Sequence, residues 1–193
     1  MIIVDELKEG FNIMLHPKSA TQKERKIGEA LAFYYKMSII PLILYIILAL
    51  AIPSASATGL FTGFISGPLV RGGILALLVA IPISLFVTAF LYHIFGKLFK
   101  VFSNPYSNTF TAMVYGIVPA ILFYWLIPIP LGLLVLIIFE IWAFIVMILA
   151  LANQQKTSAL KAFAVIIVTG IIIGAIVFLI GLGTLLPLAT TAK

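Results

Sequence analysis

The chain contains no cysteine. That absence excludes disulfides, thiol catalysis, thiolate-ligated metals and S-palmitoylation together. Charge is nearly as scarce: 9% of the 193 residues are Asp, Glu, Lys or Arg, against about 25% in a soluble domain. Histidine occurs only at His16 and His93, and no metal or cofactor site is expected from them. GxSxG, HExxH and Walker A patterns are missing, as is an acidic pair able to hold a metal on a phosphate, so no motif points to an enzyme. The start, MIIVDELKEG, is acidic and amphipathic. It lacks the basic region and small-residue cleavage site of a secretory signal, so the first span is expected to serve as the targeting signal.

What the chain has is apolar length. Hydrophobic residues make up 63%, in segments able to cross a bilayer, which needs roughly 20 apolar residues per helix. The expected fold is all-α, an integral membrane bundle of five transmembrane helices behind a short amphipathic cytoplasmic segment. Residues 1–36 form that segment and 37–193 the transmembrane domain. The spans are placed at about 33–52, 72–96, 109–127, 131–152 and 162–186.

Residues 1–36 carry eleven of the eighteen charges. Ile3, Leu7, Phe11 and Met14 recur at helical spacing between acids and a lysine, the pattern of a helix on the membrane surface or on the protein's own cytoplasmic loops. His16-Pro17 should end it. Thr21 followed by Glu24 has the spacing of a capping box, so a second helix is expected to start there and run through Lys23, Arg25 and Lys26. Met37 to Val70 carries no charge over 34 residues, too long for one helix, and Pro53 with the following SASATG marks the break. In the connection 53–71, Leu60, Phe61, Phe64 and Ile65 are expected to lie against the membrane surface. Pro82 lies inside the second span, where membranes tolerate proline if neighbours supply hydrogen-bond partners. Pro128-Ile129-Pro130 is a tight uncharged turn.

Lysine and arginine counted by loop set the orientation. Six lie in the amino-terminal segment, Lys97 and Lys100 in the second loop, Lys156 and Lys161 in the fourth; the other side has Arg71 and Lys193. Ten against two places the amino terminus in the cytoplasm and the carboxyl terminus outside, in the cell membrane if the source is prokaryotic. The positive residues lie beside the apolar segments, so the net charge of +6 is read as topology and not as a nucleic-acid footprint. The four loop lysines either fix topology alone or also bind anionic lipid headgroups.

Two similar stretches, LFKVFSNPYSNTFTAMVYG and ANQQKTSALKAFAVIIVTG, each join the end of one span to the start of the next. At Gly96-Lys-Leu-Phe-Lys100, followed by Ser107-Asn-Thr-Phe-Thr-Ala-Met-Val-Tyr-Gly-Ile-Val-Pro119, the chain resembles the Yip family of five-span membrane proteins, named for interaction with Ypt/Rab GTPases. Gly96, Tyr115, Gly116 and Pro119 carry the match. The resemblance implies a cytoplasmic amino terminus, five helices and a role in membrane organisation or vesicle trafficking through protein partners. The chain is too short for the long cytoplasmic region of eukaryotic members.

Glu140 is the only acid after Glu29. An intramembrane acid costs of order 2.5–3.5 kcal/mol on insertion scales and marks function by default. It reads either as a protonated structural group bonded to a neighbouring helix or as an ion-handling one. Tyr45, Ser84 and Tyr124 should lie near its depth, and Arg71 could reach inward from the rim. His93 reads as an interface hydrogen-bonder. The leading expectation is a non-enzymatic membrane organiser or adaptor. Its partners would be the lipid bilayer, anionic headgroups, a membrane or cytoplasmic protein and a second copy of the chain, with no nucleic acid. The alternative is a small transporter or channel using Glu140.

Overall fold

A computed structural model describes residues 2–51, 68–129 and 131–191. Among the described residues the chain is helical without strands. The elements are α1 (Ile2–Leu15), α2 (Pro17–Ala20), α3 (Ile27–Ala51), α4 (Pro68–Leu75), a π turn (Ala76–Ala80), α5 (Ile81–Leu98), α6 (Tyr106–Gly116), α7 (Val118–Leu122), a 3-10 turn (Tyr124–Leu126), α8 (Gly132–Gln154) and α9 (Ala159–Thr191). Among the described residues four helical stretches are long and apolar enough to cross a membrane: Ile27–Ala49, Gly72–Leu98, Tyr106–Leu126 and Gly132–Gln154. A shorter apolar one is Ala159–Ala175. The connection from 53 to 67, with its Leu60, Phe61, Phe64 and Ile65, lies outside the described residues, as do Pro130 and the last two residues.

The α6–α7 segment is the axis of the bundle. Asn108 through Gly116 are all buried, as are Val118 through Leu122, while α5, α8 and α9 turn rows of Ile, Leu, Val and Phe outward. A helix buried all round needs close-packing positions, and Gly116 supplies one. A Cβ there would lie 2.9 Å from the backbone Cα of Met147 on α8.

Proline explains two irregularities. Pro82 has no N–H to offer the carbonyl four residues earlier, Leu78, so the helix widens into the π turn just before it. The freed carbonyls are claimed by adjacent tyrosines of α3: Tyr35 Oη donates to Leu78 O at 3.0 Å and Tyr34 Oη to Leu77 O. These are the neighbour-supplied partners that a buried proline break requires. Pro119 likewise cannot bond to the Tyr115 carbonyl, and the helix breaks at Ile117 before restarting as α7.

The loops 99–105 and 155–158 close in the same way. Lys100 and Lys156 adopt left-handed backbone, φ 56° and 50°. Val101 N bonds Gly96 O, and Thr157 N bonds Ala152 O, both at 2.9 Å. Each is the six-to-one bond of a Schellman cap with lysine where glycine is usual. The resemblance between the two stretches therefore extends to backbone conformation.

Candidate functional site

The amino-terminal segment packs on the helices of the bundle. Ile13 of α1 belongs to the same buried cluster as Phe33, Met37, Tyr115, Val118 and Val146, with Leu7 and Met14 packed against it. Gly10 lets the helix approach α3, since a Cβ there would meet Met37 Sδ at 2.9 Å. Trp142 Nε1 of α8 donates to Met14 O at 2.9 Å. Phe11, assigned to the docking stripe from its spacing, is instead 41% exposed. Leu7 and Met14 of the expected stripe do pack, and the Ile3 side chain lies outside the described residues. The docking face also runs through Gly10 and Ile13, and glycine carries no hydrophobic signal.

The expected helix through Lys23 and Arg25 is absent: α2 ends at Ala20, and α3 begins at Ile27. Thr21 Oγ1 bonds back to Pro17 O at 2.6 Å, and the cap of α3 is made three residues after Lys26, whose N–H reaches Glu29 Oε2 at 3.2 Å. Side chains from two spans take the carbonyls that a helix would have used. Gln154 Nε2 donates to Thr21 O at 2.8 Å and Lys23 O at 2.9 Å. Tyr115 Oη donates to Lys23 O at 2.9 Å, and Thr111 Oγ1 to Arg25 O at 3.1 Å.

This bonded segment holds Arg25 over the core. Its guanidinium carbon lies 4.5 Å from the Phe33 ring centroid, Nε donates to Tyr115 Oη at 3.0 Å, and Nη2 sits 2.7 Å from Glu9 Oε1 and 3.9 Å from Glu6 Oε2. Lys23 reaches Glu9 Oε2 at 3.3 Å, and Lys36 reaches Glu6 Oε1 at 3.4 Å. The Arg25 side chain is 8% exposed. Burial opposes its charge, but the bonds to Glu9 and Tyr115 outweigh that, and its pKa lies above the ordinary guanidinium value. From spacing and charge count alone Arg25 is a residue of an expected helix and one of six topology charges, with no sign of its ion pairs. The usable signal was the coincidence of acids on α1 with cations beyond a His-Pro break.

A second polar group joins the two lysine-capped turns. Ser103 Oγ donates to Gln155 O at 3.0 Å, and Asn104 N to Gln155 Oε1 at 3.0 Å. Asn108 Nδ2 donates to Gln154 O at 3.2 Å, and Gln155 Nε2 to Thr109 Oγ1 at 2.9 Å. His93 Nδ1 pairs with Thr109 Oγ1 at 2.9 Å, the hydrogen-bonding role expected of it. Lys97, Lys100, Lys156 and Lys161 are exposed around this network, and Lys97 Nζ donates to Ser103 O at 2.8 Å.

The remaining predicted residues do not converge. Tyr45 and Tyr124 pack with tilted rings, centroids 5.4 Å apart, and Tyr124 Oη donates to Gly73 O at 3.1 Å. Ser84 is exposed and donates to Ile81 O of its own helix at 2.8 Å. The Arg71 side chain lies outside the description. Glu140 shares an exposed stripe of α8 with Leu133, Ile137 and Phe144, and among the described residues it has no hydrogen-bond or ion-pair partner. Glu140→Leu is therefore expected to keep or raise the thermal midpoint of the isolated protein in detergent, because no described neighbour is orphaned. A clear loss of stability in that melt would reveal a bonded partner. No group of three or more His, Asp or Glu suited to a metal occurs among the described residues.

Gly96, Tyr115, Gly116 and Pro119 each have a physical reason to be what they are. Phe102 folds over Gly96 so closely that a Cβ there would run into its ring. Tyr115 ties Arg25 and Lys23 to the axis, Gly116 lets α8 in, and Pro119 breaks the axis. A family model described as Yip1 domain matches residues 11–181. No curated protein and no solved structure matches the chain.

Proposed function

This chain belongs to the Yip1-domain family and is an integral membrane protein, and on that premise we propose that it is a non-enzymatic membrane organiser or adaptor acting through the end that bears Lys97, Lys100 and Lys156. The observation that carries this reading is the fusion of the two lysine-capped turns into one bonded surface. Asn104, Asn108, Gln154 and Gln155 immobilise backbone that a simple connecting loop would leave free. A rigid face costs less ordering entropy when a partner docks. Its exposed lysines suit anionic headgroups or an acidic protein surface.

In this reading α9 completes a fifth crossing, the lysine-rich end faces the cytoplasm and the carboxyl terminus lies outside. The absence of native cysteine makes the topology directly testable. Single cysteines at Ser19, Ser103 and Thr157 are expected to react with an impermeant maleimide only from the cytoplasmic side, and those at Ser56 and Ala192 only from outside. Outside labelling at Thr157 together with cytoplasmic labelling at Ala192 would overturn the five-span arrangement. The adaptor role is tested by in-cell photocrosslinking from Lys97 and Lys156 beside a flux assay in proteoliposomes. A reproducible protein partner supports it, whereas flux dependent on Glu140 would transfer the assignment to a transporter.

A further inference from the structure

The acids of α1 sit on a cation site that the rest of the molecule builds without them. Arg25 is held from below by the Phe33 ring, from the side by the Tyr115 hydroxyl, and through its backbone by Thr111. Lys23 is fixed through its carbonyl by Tyr115 and Gln154, and Lys36 stands on the body of α3. None of these supports belongs to α1. Onto this frame α1 lowers Glu6 and Glu9, and all four carboxylate oxygens fall within 4 Å of a cationic nitrogen. Three cations face two acids, so the site keeps an excess of positive charge even when filled.

A forked guanidinium flanked by two ammonium groups matches a phosphate's oxygens. The two carboxylates carry the charge of a phosphomonoester, about −1.5 to −2 near neutral pH. We propose that Lys23, Arg25 and Lys36, positioned in part by the Tyr115 hydroxyl, form a phosphomonoester-binding site, and that Glu6 and Glu9 fill it from within, making α1 a latch that such a ligand displaces. An uncompensated, nearly buried arginine is costly, so release of α1 and entry of the anion are coupled steps. Release would uncover the apolar surface now under Ile13 and Gly10. The ligand is a lipid headgroup or a free phosphate of the same chemistry. The proposal stands independently of the adaptor reading.

Trp142 supplies the reporter, because its indole N–H bonds the Met14 carbonyl only while α1 is docked. The full chain carrying Trp125→Phe is placed in phosphatidylcholine nanodiscs with rising fractions of phosphatidic acid. A parallel arm receives inorganic phosphate, and a sodium chloride series matches its ionic strength. The expected result is a red shift of Trp142 emission with phosphatidic acid, with the midpoint at least tenfold lower in Glu6→Gln/Glu9→Gln and at least tenfold higher in Lys36→Gln. A response to inorganic phosphate alone assigns the site to a soluble ligand, and a response only to the lipid assigns it to a headgroup. Arg25→Gln is expected to lose binding. Should that variant not fold, the half-exposed Lys36 carries the test. If Glu6→Gln/Glu9→Gln starts undocked, its binding is read by phosphorus NMR line broadening, and absence of binding overturns the site. The proposal is also overturned if Trp142 is silent in both arms or responds equally to sodium chloride.

Discussion

Arg25→Met is expected to lower stability by about 3 kcal/mol, the loss associated with breaking one side of a largely buried ion pair. Three contributions disappear together. Glu9 loses a 2.7 Å charge-assisted bond, Tyr115 loses the donor at its oxygen, and the Phe33 face loses its cation, worth about 0.5–2 kcal/mol at a partly desolvated site. The acids left behind are 17% and 24% exposed. Water therefore relieves part of the penalty and keeps it at the lower end of the range for buried pairs. Adding Glu6→Gln and Glu9→Gln to Arg25→Met should restore a measurable part of the loss, because the half-buried acids would otherwise face only the more exposed Lys23 and Lys36. Thermal or denaturant melts of the single, double and triple variants in detergent measure this directly. If the triple variant is no better than Arg25→Met, the acids are not what Arg25 balances.

The second large effect belongs to Gly116. Gly116→Val is expected to cost about 3 kcal/mol or more, and Gly116→Ala about 1–3 kcal/mol, the range for overpacking a tight core. The obstacle is backbone: a new Cβ would meet Met147 Cα at 2.9 Å and Met147 Cβ at 2.6 Å. No rotamer change relieves that, and α6 and α8 would have to separate along the most buried segment of the bundle. Gly170 is the internal control. Nothing lies within 4 Å of a Cβ built there, so Gly170→Ala should be neutral or stabilising by up to about 1 kcal/mol, the ordinary helix-interior difference between the two residues. A tolerated Gly116→Ala would mean that α6 and α8 do not approach this closely.

Helix positions in this chain were written in composition and punctuation. The 34-residue uncharged stretch, the break at His16-Pro17, the turn at Pro128 and the polar connections after the second and fourth spans could all be read before any contact was known. Apolar length, proline and charge spacing act locally, and local rules suffice to find such elements. Gly96, Tyr115, Gly116 and Pro119 were visible as a pattern, although their reasons lay in Phe102, Arg25 and Met147.

Which face of each helix meets which neighbour was another matter. Thr21 and Glu24 have the spacing of a cap, yet Gln154, Tyr115 and Thr111 claim the carbonyls of Thr21, Lys23 and Arg25 and draw the chain out of helix. Glu140 drew attention as a lone acid, and the rotation of α8 carries it to an exposed stripe. Arg25 looked like one more topology charge, and packing buries it beneath an acidic helix. In a chain where nearly every spanning residue is apolar, hydrophobicity cannot tell an inward face from an outward one. The sequence by itself determined that this protein is a membrane bundle and roughly where its apolar helices lie. Only the tertiary structure decided which polar groups meet, because hydrogen bonds and ion pairs between segments up to 135 residues apart depend on helix rotation and depth, and neither follows from local spacing.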